Sequence, residues 1–154
     1  MKKIFAFLFS VILLGSLVFA GTNAGDMNVN IDLYKSGIRM SVPNEIDLGN
    51  VTKGYATTPV AFNISNTGTV NIEVTPELDV SHDEIFTNLM IGKTKTGAKS
   101  AIGNFSVNIT KPTKLGEEKK QIIYINLDLE EYTGEISQDE MDVKQKVIFW
   151  ATEN

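Results

Sequence analysis

The sequence predicts an all-β protein, an antiparallel sandwich or barrel of about seven to nine short strands. Three observations carry this. Beyond the first twenty residues almost every segment alternates apolar and polar positions with period two. No segment sustains a helical period, and Gly, Pro, Asn and Asp recur between the alternating runs. Period two belongs to strands because successive side chains point to opposite faces of a sheet.

The first twenty residues stand apart. Lys2 and Lys3 precede an apolar run from Ile4 to Leu14, and Leu17 to Ala20 follows, ending at Gly21. A charged start, an apolar middle and small residues at the cut describe a secretory signal peptide over 1–20. The competing reading is an uncleaved anchor, because roughly 17 apolar-rich residues lie at the low edge of spanning length. Small residues at both recognition positions, with polar sequence directly after them, favour cleavage. The expected address is extracytoplasmic: secreted, periplasmic or cell surface, with no stable membrane span after cleavage.

Residues 21–37 form an N-terminal segment. Within it Val29, Ile31 and Leu33 alternate with Asn28, Asn30 and Asp32. Met27 to Leu33 reads as the first strand of the domain, and the alternative is a donor strand that pairs with the sheet edge of a neighbouring subunit. Ile38, Met40 and Val42 mark the next strand, which Pro43-Asn44 interrupts. Ile46 and Leu48 resume the pattern, then Val60, Phe62 and Ile64. Asn66-Thr67-Gly68 reads as a turn, with Gly68 free to take positive φ. Val70, Ile72 and Val74 read as the return strand of a hairpin. Ser81 to Met90 is the one segment of ambiguous period. Phe105, Val107 and Ile109 give a further strand, and Ile123, Ile125, Leu127 and Leu129 share one face of the next. Val147, Phe149 and Ala151 close the chain. Gly92–Ser100 and Glu130–Asp142 read as long loops.

Composition excludes several functions. About 134 residues remain after the signal, enough for one domain with a single core. Loss of Lys2 and Lys3 takes the formal charge from −5 to about −7, which gives no electrostatic reason to bind nucleic acid. The chain has no cysteine, so disulfides, thiolate catalysis, cysteine-ligated zinc and lipidation at a cysteine after the signal are all excluded.

From Ile46 the order of residues becomes more specific. Ile46-Asp47-Leu48-Gly49-Asn50-Val51, then Gly54, then Val60 to Gly68, then Val70 and Ile72, resembles the first half of hydin-type immunoglobulin-like domains. Thr110 to Glu117 is similar to the Pro- and Gly-containing turn that leads into a late strand of those domains. Tyr132-Thr133-Gly134 with Val147 to Ala151 is similar to their closing hairpin. The resemblance spans residues 38–152 and implies an immunoglobulin-like β-sandwich over 38–154. A weaker likeness is to camelysin and TasA-type secreted fibre subunits. It rests on the absence of cysteine, the Asn-Thr-Gly turn and the ending Trp150-Ala151-Thr152. That likeness would imply polymerisation by strand exchange.

Chemistry-bearing residues are sparse. His82, the sole histidine, has no second histidine at ligand spacing and reads as an exposed loop residue. Asp128, Glu130, Glu131, Glu135, Asp139, Glu140 and Asp142 supply enough oxygens for calcium but lack the regular spacing of a calcium loop, and read as a solvated acidic stretch. No nucleophile elbow, phosphate loop or zinc motif occurs. The expectation is therefore no catalytic residues, no metal and no cofactor. Asn50, Asn63, Asn104 and Asn108 begin Asn-x-Ser/Thr sequons and are candidate glycosylation acceptors. Tyr124 and Trp150 fall out of phase with their strands' main apolar faces; Trp150 reads as a core residue between two buried faces, and the alternative is an exposed aromatic that stacks on a sugar or anchors a partner. Together these readings describe a non-catalytic structural or assembly protein, partnered by another protein or by itself through sheet edges. The alternative is an extracellular binding module for a carbohydrate or protein ligand.

Overall fold

The computed structural model describes residues 36–79, 84–136 and 143–154. These fall in a compact unit, Lys35–Asn154; the other unit, Met1–Tyr34, lies outside the described residues, as therefore do the signal-peptide reading and Met27–Leu33. The described strands are β1 (Met40–Ser41), β2 (Val60–Asn66), β3 (Ile72–Leu78), β4 (Leu89–Gly92), β5 (Ser100–Ala101), β6 (Val107–Ile109), β7 (Lys119–Leu127) and β8 (Val147–Glu153). They form two antiparallel sheets, one of five strands ordered β1-β2-β7-β4-β5 and one of three ordered β6-β3-β8.

Alternation decides what each strand buries. Phe62 and Ile64 of β2 and Ile123, Ile125 and Leu127 of β7 point inward from the larger sheet, while Ala61, Asn63 and Ile122 point out. Ile72 and Val74 of β3 and Val107 and Ile109 of β6 supply the opposing apolar surface. Phe62 meets Phe149 of β8 edge to face, with ring centroids 5.9 Å apart, so β8 lies over β2. Beside them Ile102 and Phe105, on either end of the short 3-10 turn Ile102–Asn104, are buried in the same core.

The β2–β7 pairing contains one irregularity. Val60 is opposite Ile125, yet Ala56 bridges Asp128, so one extra residue is accommodated between Ala56 and Val60. Pro59 lies within that bulge and cannot donate a backbone hydrogen bond. Thr57 compensates from the same place. Its buried hydroxyl accepts the Leu127 amide at 2.9 Å while its own amide donates to the Leu127 carbonyl. Upstream, Ile46, Leu48 and Val51 form no strand; they pack against the core as part of an irregular strap. Gly49 (φ 71°) and Gly54 (φ 87°) turn that strap through left-handed conformations that suit glycine.

Four expectations require correction. The segment after Asn66-Thr67-Gly68 is not the return strand of a hairpin, because β2 and β3 belong to different sheets. Asn66 makes the crossing. Its side chain is fully buried, and Nδ2 donates to the carbonyl oxygens of Val70 (2.8 Å), Ile109 (3.3 Å) and Thr110 (3.3 Å), while Oδ1 accepts the Gly68 amide at 2.9 Å. The amide side chain thus stands in for a ladder between β2, the arch and the end of β6. Second, Gly68 is not at positive φ; it is needed for close approach, since a Cβ there would lie 2.5 Å from the Gly37 carbonyl oxygen. Third, β8 does not pair with β7, the strand before Tyr132, because the two also lie in different sheets. Fourth, Trp150 is 55% exposed. Two layers of sheet bury one face of each, and β8 turns Trp150 to the opposite, outer face.

The ambiguous segment resolves into the 3-10 helix Glu84–Asn88 followed by β4. Gly92–Ser100 then proves to be the tip of the β4–β5 hairpin, in which Ile91 is opposite Ser100.

Candidate functional site

Two sheet edges dominate the functional surface. The first is β8, which pairs with β3 along its whole length, from Ile72 opposite Glu153 to Leu78 opposite Val147. Among the described residues no strand lies on its other side. Its core-facing side chains, Val147, Phe149 and Ala151, are only half-buried, whereas Ile72 and Val74 of β3 are sealed. This row packs against the core yet stays partly accessible along β8. The outward face carries Ile148, Trp150 and Thr152, opposite Glu77, Thr75 and Glu73 of β3. Seven residues with no proline and one terminal glutamate make an edge that few devices protect.

The second edge belongs to β2. Strand β1 pairs with it only at Met40–Asn66 and Ser41–Ser65. The contact extends toward the arch, where the Thr67 and Thr69 amides donate to the Arg39 and Gly37 carbonyl oxygens and the Gly37 amide donates to Thr69 Oγ1. In the other direction it stops at Pro43. The register would set Pro43 opposite Asn63, a position that requires an N–H which proline lacks. Beyond it an open groove of about 550 Å³ runs between β2 and the strap, lined by residues of both and by Glu118 and Lys120 of the β7 arm.

The Glu118 carboxylate contacts the Lys120 ammonium at 2.6 Å. Hydrogen bonds from Lys120 and then from Ser65 hold the Glu118 carboxyl below the usual glutamate range. At the far end of the fold the Lys53 ammonium donates to the Thr133 (3.0 Å) and Gly134 (2.9 Å) carbonyl oxygens, fastening the start of the acidic stretch.

The candidate residues from the sequence are dispersed. Asn50, Asn63, Asn104 and Asn108 are all exposed, Asn63 on the outer face of β2 and Asn108 on that of β6. Of the acidic stretch, Glu130, Glu131 and Glu135 are exposed and Asp128 is half-buried; Asp139, Glu140 and Asp142 lie outside the described residues, as does His82. Among the described residues no three His, Asp or Glu side chains converge as a metal site, and no helix is long and apolar enough to cross a membrane. Tyr124 is half-buried. The β2 groove was not foreseen from the sequence, although Pro43 at the end of an alternating run was its signal.

No family model, no curated protein and no solved structure matches this chain.

Proposed function

We propose that this chain is an extracytoplasmic, non-catalytic structural protein that assembles through its sheet edges, on an immunoglobulin-like plan. The observation that carries the reading is the open β8 edge. A seven-residue strand with half-buried inner side chains, and with no strand of the described residues on its outer side, offers main-chain pairing and apolar burial together. Met27–Leu33 supplies a matching element: seven residues whose apolar positions alternate, placed just after the signal sequence. Inserted along β8 of a second copy, it would set Val29, Ile31 and Leu33 against the half-buried row.

Light scattering coupled to size exclusion, with negative-stain images of the same sample, tests this. Ordered oligomers or filaments are expected, and deletion of Met27–Leu33 should convert them to folded monomers. A monomer at every concentration would overturn the reading. A second reading is favoured by the exposure of Trp150. An indole on a flat sheet face, with the Thr75 hydroxyl opposite and Glu73 and Glu77 beside it, is suited to stacking on a sugar. In that case the protein is a binding module, and Trp150→Ser should abolish retention on immobilised polysaccharide while leaving assembly unchanged.

A further inference from the structure

The β2 groove is a separate feature from β8, and its geometry specifies what it can hold. Along β2 the in-plane direction of the backbone alternates. The Thr67 amide points toward β1, as its bond to the Arg39 carbonyl shows. Two residues at a time, Ser65, Asn63 and Ala61 therefore point the same way, while Phe62 and Ile64 point toward β7. Ser65 has its partner in Ser41. Asn63 and Ala61 have none among the described backbone groups, because Pro43 ends β1 and the strap swings away. Two consecutive in-plane amide and carbonyl pairs thus face an open groove that no strand of the described residues enters.

The charge of the groove is equally specific. Glu45, Asp47 and Glu118 line it against one ammonium, that of Lys120, which is already committed to Glu118. Asp47 also accepts the Gly49 amide, which fixes its carboxylate at the end of the strap; Glu45 has no partner among the described residues. An anionic wall beside an empty strand position complements an extended chain that carries cationic side chains.

We propose that this groove is a strand-addition site for an extended peptide bearing lysine or arginine side chains. The peptide backbone pairs with Ala61 and Asn63, continuing the larger sheet where β1 leaves off, and alternate cationic side chains meet Glu45, Asp47 and Glu118. Ala61 and Asn63 turn their side chains to solvent, so neither blocks the approach in the plane of the sheet.

The test uses the protein expressed from its full sequence and a fluorescein-labelled hexapeptide of alternating threonine and lysine, followed by fluorescence anisotropy. Saturable binding at low salt is expected. It should weaken about fivefold with Glu45→Lys, a change at an exposed side chain that leaves the core alone. The same peptide methylated at every backbone nitrogen keeps its charge but cannot donate, and should not bind. Equal binding of the methylated peptide would reduce the contact to charge adhesion and overturn strand addition. Equal binding of an alternating threonine and glutamate hexapeptide, or no binding of the lysine peptide at millimolar protein, would overturn the proposal outright. Deletion of Met27–Leu33, which removes the donor proposed for β8, should leave peptide binding unchanged, so the two readings fail separately.

Discussion

Replacing Asn66 tests the crossing between the two sheets. In Asn66→Ala the Ile109 carbonyl and the Gly68 amide, whose bonds to Asn66 are buried, lose their partner. Each such orphan costs about 1–3 kcal/mol. The Val70 and Thr110 carbonyls are partly reached by water, and Nδ2 has only two hydrogens for three acceptors, so those bonds add about 1 kcal/mol between them. The low end of these ranges gives a loss of about 3 kcal/mol, a large part of the roughly 5–15 kcal/mol that holds a domain together. With a urea slope of about 2 kcal/mol/M the midpoint should fall by about 1.5 M. Asn66→Asp separates the donor from the acceptor. The carboxylate can still accept from Gly68, but it faces three carbonyl oxygens in a fully buried position, so its folded pKa should lie above its unfolded one. The deficit relative to the wild-type protein should then be smallest below the unfolded pKa near 4. It should grow as pH rises toward the folded pKa, by up to about 1.4 kcal/mol per pH unit. Urea titrations of both variants and the wild type at pH 4 and pH 7 provide the measurement. A loss below 1 kcal/mol in Asn66→Ala, or an Asn66→Asp deficit that ignores pH, would refute the assignment of Asn66 as the polar staple of the crossing.

Three other expectations follow from single side chains. Thr57→Val removes the hydroxyl that accepts the buried Leu127 amide and should lower stability by about 1–3 kcal/mol in chemical denaturation. Asn126 points the other way: its buried Oδ1 has no hydrogen-bond partner among the described residues, so Asn126→Leu should raise stability by about 1 kcal/mol, and a thermal melt decides the sign. Lys120→Ala should raise the Glu118 titration midpoint, followed by carboxyl carbon NMR, because Lys120 is the main cause of its depression. The wild-type contact contributes above the unfolded glutamate pKa and is lost as pH falls through the lower folded value.

The strand content was legible in the sequence because period two is a property of the backbone. Residues 60–64, 107–109, 123–127 and 147–151 each announce a buried face, and those core-facing positions are the ones the fold packs inward. What alternation does not encode is the neighbour. A run such as Ile72 to Leu78 states which side chains face the core and says nothing about which strand lies beside it. The turn formers Asn66-Thr67-Gly68 therefore read as a hairpin although they bridge two sheets. Trp150 misled for a related reason. Both phases of β8 are apolar, Val147, Phe149 and Ala151 on one and Ile148 and Trp150 on the other, and only the packed fold shows which phase faces the core. Strand β4 was missed because Leu89 to Gly92 follows a 3-10 turn directly and is too short to display a period.

The open edges follow from the same crossing that the sequence concealed. A hairpin at Asn66 would have set β3 beside β2 and covered the positions that now face the groove. Because the chain crosses instead, the β1 side of β2 is left to β1, and the pairing ends before Pro43 after two pairs. The smaller sheet meets the same condition: β3 takes β6 on one side and β8 on the other, and nothing among the described residues follows β8. Phe62 against Phe149 sets β8 over β2 at that contact. The two edges differ in chemistry, β8 offering a mostly apolar row and the β2 groove three carboxylates, Glu45, Asp47 and Glu118. That chemical difference is what would let the fold distinguish an apolar strand from a cationic one.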